Sequence, residues 1–172
     1  MTACPRGYWG LVQREATTEI RDRLAAEISE QARRRGCTVA VAESLTGGMV
    51  ATSLAAAEAA SEWFRGSLVA YSSEVKHAVL DVPDGPVVSA EAAEAMAAGV
   101  RRLLGADVAV AVTGSGGPSA QDGQDPGTVY MAVDDGSATR VQRLDLHGEP
   151  GEICADSAEH ALRLLLDGLA RA

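Results

Sequence analysis

The sequence predicts an α/β protein, a three-layer α/β/α sandwich on a mixed, mostly parallel sheet. Three observations predict it. Short apolar runs rich in Val and Ala alternate with longer segments of helical periodicity. Each run closes on glycine or a polar turn. The last two runs follow one another directly around Asp134-Asp135-Gly136, as an antiparallel pair would.

Residues 1–16 show no clear periodicity and are expected to form a flexible N-terminal segment ahead of a single domain, residues 17–172. From Thr17 or Thr18 to Arg35, Ile20, Leu24 and Ile28 with Ala25 and Ala32 recur at helical spacing, and Gly36 stops the pattern. Thr38 to Ala42 is a buried strand. Thr46 through Ala60 reads as a helix opened by Gly47-Gly48, and Gly66 to Tyr71 as a second strand. Ser73 to Leu80 is a short helix. Ser89 to Leu104 is a longer one, with Ser89 as N-cap and Glu91 in its first turn. Asp107 to Thr113 is a third strand, and a Gly/Pro/Asp-rich loop follows from Ser115 to Pro126. Thr128 to Val133 and Thr139 to Leu146 make the antiparallel pair, and a helix from about Gly151 to Ala170 closes the chain.

Composition excludes several functions. The 172-residue chain carries a net charge of −9, which disfavours a nucleic-acid partner. No run of about 18 apolar residues predicts a membrane span, and Trp9-Gly10-Leu11-Val12 is too short for a signal-peptide core. Cys4, Cys37 and Cys154 are scattered, as are His77, His147 and His160, so neither a disulfide framework nor a metal site is expected. Reduced thiols fit a cytoplasmic location. The apolar helices are compatible with a homo-oligomer. Of the 15 basic residues only Lys76 is lysine. Arginine stays protonated, whereas lysine can be desolvated into a base. Asparagine is absent, so biased composition explains a lone lysine equally well.

Ligands of such sheets bind at the carboxyl ends of the parallel strands. Three candidate ends converge there: Glu43-Ser44-Leu45-Thr46-Gly47-Gly48, the segment from Tyr71 to Lys76, and Thr113-Gly114-Ser115-Gly116-Gly117-Pro118. A hydroxyl at Ser44, between strand and helix, is exposed at the sheet edge, and the N–H groups of Thr46, Gly47 and Gly48 could receive an oxyanion. Ser44 or Thr46 acting as a plain N-cap accounts for the same residues. A serine nucleophile needs a base, for which Lys76 is a candidate, with Tyr71 relaying a proton or holding the amine. Ser73-Glu74-Val75-Lys76 is also a literal S-x-x-K, which would make Ser73 the nucleophile. Its partner motifs need a second lysine and an asparagine, and the chain has neither.

Together the three segments resemble the CinA C-terminal domain family, the nicotinamide mononucleotide (NMN) deamidases. That family pairs A-E-S-x-T-G-G with Y-S-N-x-x-K and T-G-x-x-G-P followed by G-T-V. This chain reads Ala42 to Gly48, Tyr71 to Lys76, Thr113 to Pro118 and Gly127-Thr128-Val129. The resemblance covers about residues 18–170. It implies a five-stranded mixed sheet between helices and hydrolysis of NMN to nicotinic acid mononucleotide and ammonia, without metal or cofactor. It makes Ser44 the nucleophile, Lys76 the general base and Tyr71 an assistant. Glu43, Thr46, Gly47, Gly48, Ser73, Thr113, Gly114, Ser115, Gly116 and Gly117 are then the candidate substrate-binding residues. Two departures stand out. Ser73 replaces the family's asparagine. Where the family usually has G-D-R and a second arginine four residues on, this chain has Pro150 and Cys154. Their loss opens two alternatives: another small amide as substrate, or a non-catalytic nucleotide-binding module.

Overall fold

A computed structural model describes residues 6–172, with side chains from Thr18 onward. The first helix, α1 (Arg6–Arg35), begins well before the expected Thr17 or Thr18. Of the expected flexible segment, residues 1–5 lie outside the described residues. The other elements are β1 (Val39–Glu43), α2 (Met49–Ala56), α3 (Ala60–Trp63), β2 (Phe64–Val69), α4 (Ser73–Leu80), α5 (Ala90–Leu104), β3 (Val108–Gly114), β4 (Thr128–Asp134), β5 (Thr139–Asp145) and α6 (Pro150–Leu169).

The strands form one sheet in the order β2-β1-β3-β4-β5. β1 lies between β2 and β3, parallel to both, while β4 runs antiparallel to β3 and to β5. The mixed five-stranded sheet between helical layers is therefore as the sequence predicts.

Alternation along the strands assigns the two faces. In β1 and β3, Val39, Val41, Val108, Val110 and Val112 point into a core with α1, α2 and α6, alongside Ile28, Leu54, Leu162 and Leu165. The intervening Ala40, Ala42, Ala109 and Ala111 face Met96, Ala97, Val100 and Leu80 of α5 and α4. Bulky residues on one face and alanine on the other let the alanine-rich α5 lie close to the sheet. Both faces are dry, which is why β1 and β3 read as unbroken apolar runs.

Two sequence boundaries shift for local reasons. The helix expected over 46–60 is two helices, α2 and α3, because Ala59 adopts a left-handed conformation with φ 51° between them. Residues 44–48 form a turn ahead of α2, with Gly47 and Gly48 at φ 57° and 104°. β2 ends at Val69, so Tyr71 lies just past it.

Candidate active site

The three strand ends meet at one edge of the sheet. Ala70 N–H donates to the Glu43 carbonyl (2.8 Å), and Ser44 N–H donates to the Val112 carbonyl (3.1 Å). The Ser44 turn is thus wedged between the ends of β2 and β3.

Glu43 organises that turn. It is wholly buried. Its Oε2 accepts from the Thr46 hydroxyl (2.8 Å) and the N–H groups of Gly48 (2.9 Å) and Val50 (3.2 Å). Its Oε1 accepts from Ala51 N–H (2.8 Å) and the Ser67 hydroxyl (3.4 Å). A carboxylate inside the first turn of α2 satisfies donors the helix cannot satisfy itself, and it complements the helix dipole. Glu43 therefore braces the site from within, which corrects its expected role in substrate contact. The oxyanion expectation also changes. Gly48 N–H is taken by Glu43, and Gly47 N–H donates to the Ser44 carbonyl (3.0 Å). Among the described residues the N–H groups of Leu45 and Thr46 have no acceptor. The Ser44 hydroxyl, in a residue only 7% exposed, makes no hydrogen bond among the described residues.

Lys76 is fully buried on α4. Its Nζ donates to the Tyr71 carbonyl at 3.3 Å. Burial pushes its pKa below the usual 10.5, because desolvation disfavours the ammonium form; Asp122 acts in the opposite direction. Tyr71 is 72% exposed, so it holds the amine through its backbone while its ring faces solvent. Ser72 caps α4 by accepting from Val75 N–H (3.3 Å). Ser73, the other candidate nucleophile, is solvent-exposed on the helix that buries Lys76.

The third segment is mostly structural. Thr113 is buried and donates to the Val87 carbonyl (2.7 Å). A side chain at Gly114 would run into the Thr128 carbonyl oxygen at 2.8 Å, so glycine there is a packing requirement. Ser115 N–H donates to the Thr128 carbonyl (2.9 Å), and its hydroxyl to the Ser119 carbonyl (3.3 Å). The N–H groups of Gly116 and Gly117 have no acceptor among the described residues, and they are free to meet a ligand.

A family model described as the CinA C-terminal domain matches residues 21–169. The chain belongs to this family. It is 42% identical over 148 residues to a CinA-like protein of Myxococcus xanthus (strain DK1622), covering 82% of this chain and 35% of that protein. It is 45% identical over 117 residues to a CinA-like protein of Frankia casuarinae, covering 64% and 27%. The chain thus spans about a third of the length of such relatives. The crystal structure of the competence damage-inducible protein A from Klebsiella pneumoniae superposes with a TM-score of 0.83 at 32% identity, covering 87% of this chain and 97% of that one.

Within this CinA domain the two positions that lack the family's arginines do reach the site. Cys154 Sγ donates to the Leu45 carbonyl (3.1 Å) and would lie 3.5 Å from a Cβ at Gly116, while Pro150 would approach one at Gly117 at 3.7 Å. Burial pushes the Cys154 thiol pKa up, so it stays neutral. Sequence reading missed two contributors: Asp122, hidden in a loop read only by composition, and the Glu149–Glu152 capping box that opens α6 beside the loop. The Asp-Gly dipeptide and the E-x-x-E spacing were their available signals. Among the described residues no group of three or more His, Cys, Asp or Glu could hold a metal, and no helix is long and apolar enough to cross a membrane.

Proposed function

We propose that this CinA domain is a serine-lysine amidohydrolase that deamidates nicotinamide mononucleotide to nicotinic acid mononucleotide and ammonia. The observation that carries the reading is the burial of Lys76. An amine with one carbonyl contact and a lowered pKa, at the same sheet edge as an unpartnered serine hydroxyl, is what a neutral general base requires.

In the proposed reaction Ser44 Oγ attacks the carboxamide carbon as its proton passes to Lys76 Nζ. The tetrahedral oxyanion is met by the Leu45 and Thr46 N–H groups. Collapse expels ammonia, which takes the proton from Lys76, and leaves an ester on Ser44. Water then attacks the ester and gives its proton to Lys76. The acid product leaves, and the proton returns to Ser44. Gly116 and Gly117 offer N–H groups to the rest of the substrate. The amide is a small molecule, and the proposed reaction uses no cofactor.

The neutral Cys154 and Pro150 favour a second reading, an amidase on a small amide without a phosphate. Ammonia release from NMN and from nicotinamide riboside by wild type, Ser44→Ala and Lys76→Arg separates the two. Release from NMN that both substitutions abolish supports the first reading. Release from the riboside alone supports the second. Binding of NMN without release indicates a nucleotide-binding module, and full activity in Ser44→Ala moves the nucleophile to Ser73.

A further inference from the structure

The turn that carries Ser44 is held group by group. Gly47 N–H closes it onto the Ser44 carbonyl (3.0 Å), and Met49 N–H closes the next turn onto the Thr46 carbonyl (3.1 Å). Ser44 N–H is tied to the Val112 carbonyl, and the Thr46 hydroxyl to Glu43. The peptide joining Leu45 to Thr46 is the exception. It is the central peptide of the 44–47 turn. Its carbonyl oxygen accepts from Cys154 Sγ (3.1 Å), which belongs to α6 and lies 109 residues away in sequence. Its N–H has no acceptor among the described residues. A central turn peptide is the one that reorients most easily, because turn types I and II differ by its rotation and share the closing hydrogen bond. A full flip needs a positive φ at Thr46, which a β-branched residue resists, and Thr46 has no such φ. What the turn leaves unfixed is the tilt of this one peptide.

We propose that Cys154 is a positioning residue that sets this tilt, its thiol holding the Leu45 carbonyl so that the Thr46 N–H stays aimed at the oxyanion. The peptide is planar and trans, so its C=O and N–H point in opposite directions and one contact orients both. The role rests on the amidohydrolase reading, in which the Thr46 N–H is an oxyanion donor, and deepens it. A donor already aimed where charge develops stabilises that charge without reorganising, and a donor that tilts away does not. Burial keeps the thiol protonated, and a thiolate would have no hydrogen to give. The glycine loop packs against the same sulfur, since a Cβ at Gly116 would stand 3.5 Å from Sγ and 3.6 Å from the Leu45 Cβ. Cys154 thus joins the start of α6, the glycine loop and the nucleophile turn at one point. A thiol is a weak donor, so the expected effect is a matter of aim and stays well short of the roughly 10²–10³-fold loss that follows removal of an oxyanion donor.

Cys154→Ala and Cys154→Ser leave similar gaps, and only serine keeps a donor, so the pair isolates the hydrogen bond from the packing. Turnover is measured on NMN and on nicotinamide riboside, and the Leu45 carbonyl 13C and Thr46 amide signals are followed in the substrate-free proteins. Cys154→Ala is expected to lower kcat about three- to tenfold with KM within about twofold, and to move both signals, the carbonyl upfield. Cys154→Ser is expected to recover kcat to within about twofold of wild type and to bring both signals back toward their wild-type positions. Cys154→Arg also carries donors, so the loss of kcat is confined to residues without one. An unchanged kcat in Cys154→Ala, a loss in KM alone, or a Cys154→Ser protein as impaired as Cys154→Ala would overturn the proposal. So would Leu45 and Thr46 signals that stay in place in Cys154→Ala, whether or not either amide turns over. If the signals move as expected while the wild type releases ammonia from neither amide, the hold of Cys154 on the peptide stands and the amidohydrolase reading falls, so the two fail separately.

Discussion

Glu43 and Lys76 are both ionisable side chains and both wholly buried, Glu43 at the end of β1 and Lys76 on α4, which follows the neighbouring β2. Their surroundings are opposite. Five donors converge on the Glu43 carboxylate, whereas one carbonyl at 3.3 Å meets the Lys76 amine. A buried charge that is fully hydrogen-bonded is a brace, and its removal leaves helix-start donors stranded. A buried amine with one contact is poorly compensated, and a fold keeps such a group where its chemistry is needed. The comparison separates structural from functional burial more cleanly than burial itself does.

The largest effect that would break this contrast is on turnover. Lys76→Met is expected to lower ammonia release by about 10²–10⁴-fold, the range for loss of a general base. Stability should move the other way. Glu43→Ala is expected to cost about 2–4 kcal/mol in chemical denaturation, because several N–H groups lose their acceptor. Lys76→Met is expected to gain about 1–2 kcal/mol at pH 7. The sign follows from linkage. Lys76 has a lower pKa folded than unfolded, so between the two values the unfolded chain binds more protons and wild-type stability rises with pH. The advantage of Lys76→Met should therefore shrink as pH rises toward 10.5. A gain that is constant with pH would mean packing, not charge, explains it.

A smaller effect concerns substrate choice. Cys154→Arg puts a cation beside Leu45 and Gly116, and is expected to lower KM for NMN about tenfold with little change in kcat. An unchanged KM would argue that the phosphate does not lie there. The smallest expected effect is at Tyr71. Its ring is exposed and only its carbonyl holds Lys76, so Tyr71→Phe should change kcat/KM by less than about threefold. A large loss would restore the proton relay suggested by the sequence.

Much of the sheet was legible because β1 and β3 are buried on both faces, and their Val-Ala runs leave no other assignment. α5 was legible from Ser89, whose hydroxyl caps it, and α4 from its short span before the turn at Asp81, although its cap, Ser72, was not read from the sequence. The start of α1 was not, because residues 6–16 lack periodicity. Ser44, Lys76 and Tyr71 could be grouped from strand ends alone. What each group does inside the site could not. Glu43 looks like a substrate ligand until the N–H groups around it are seen, and Thr113 and Ser115 until their own carbonyl partners are. Asp122 escaped because its contacts, to Val87 and Val88, are set by a turn whose neighbours are distant in sequence.

The claim that Lys76 is a desolvated, functional base is tested most directly by titrating the single lysine signal of the 13C-lysine-labelled wild-type protein. A midpoint clearly below 10.5, coinciding with the rising limb of ammonia release against pH, is the expected result. A midpoint at or above that value would contradict it.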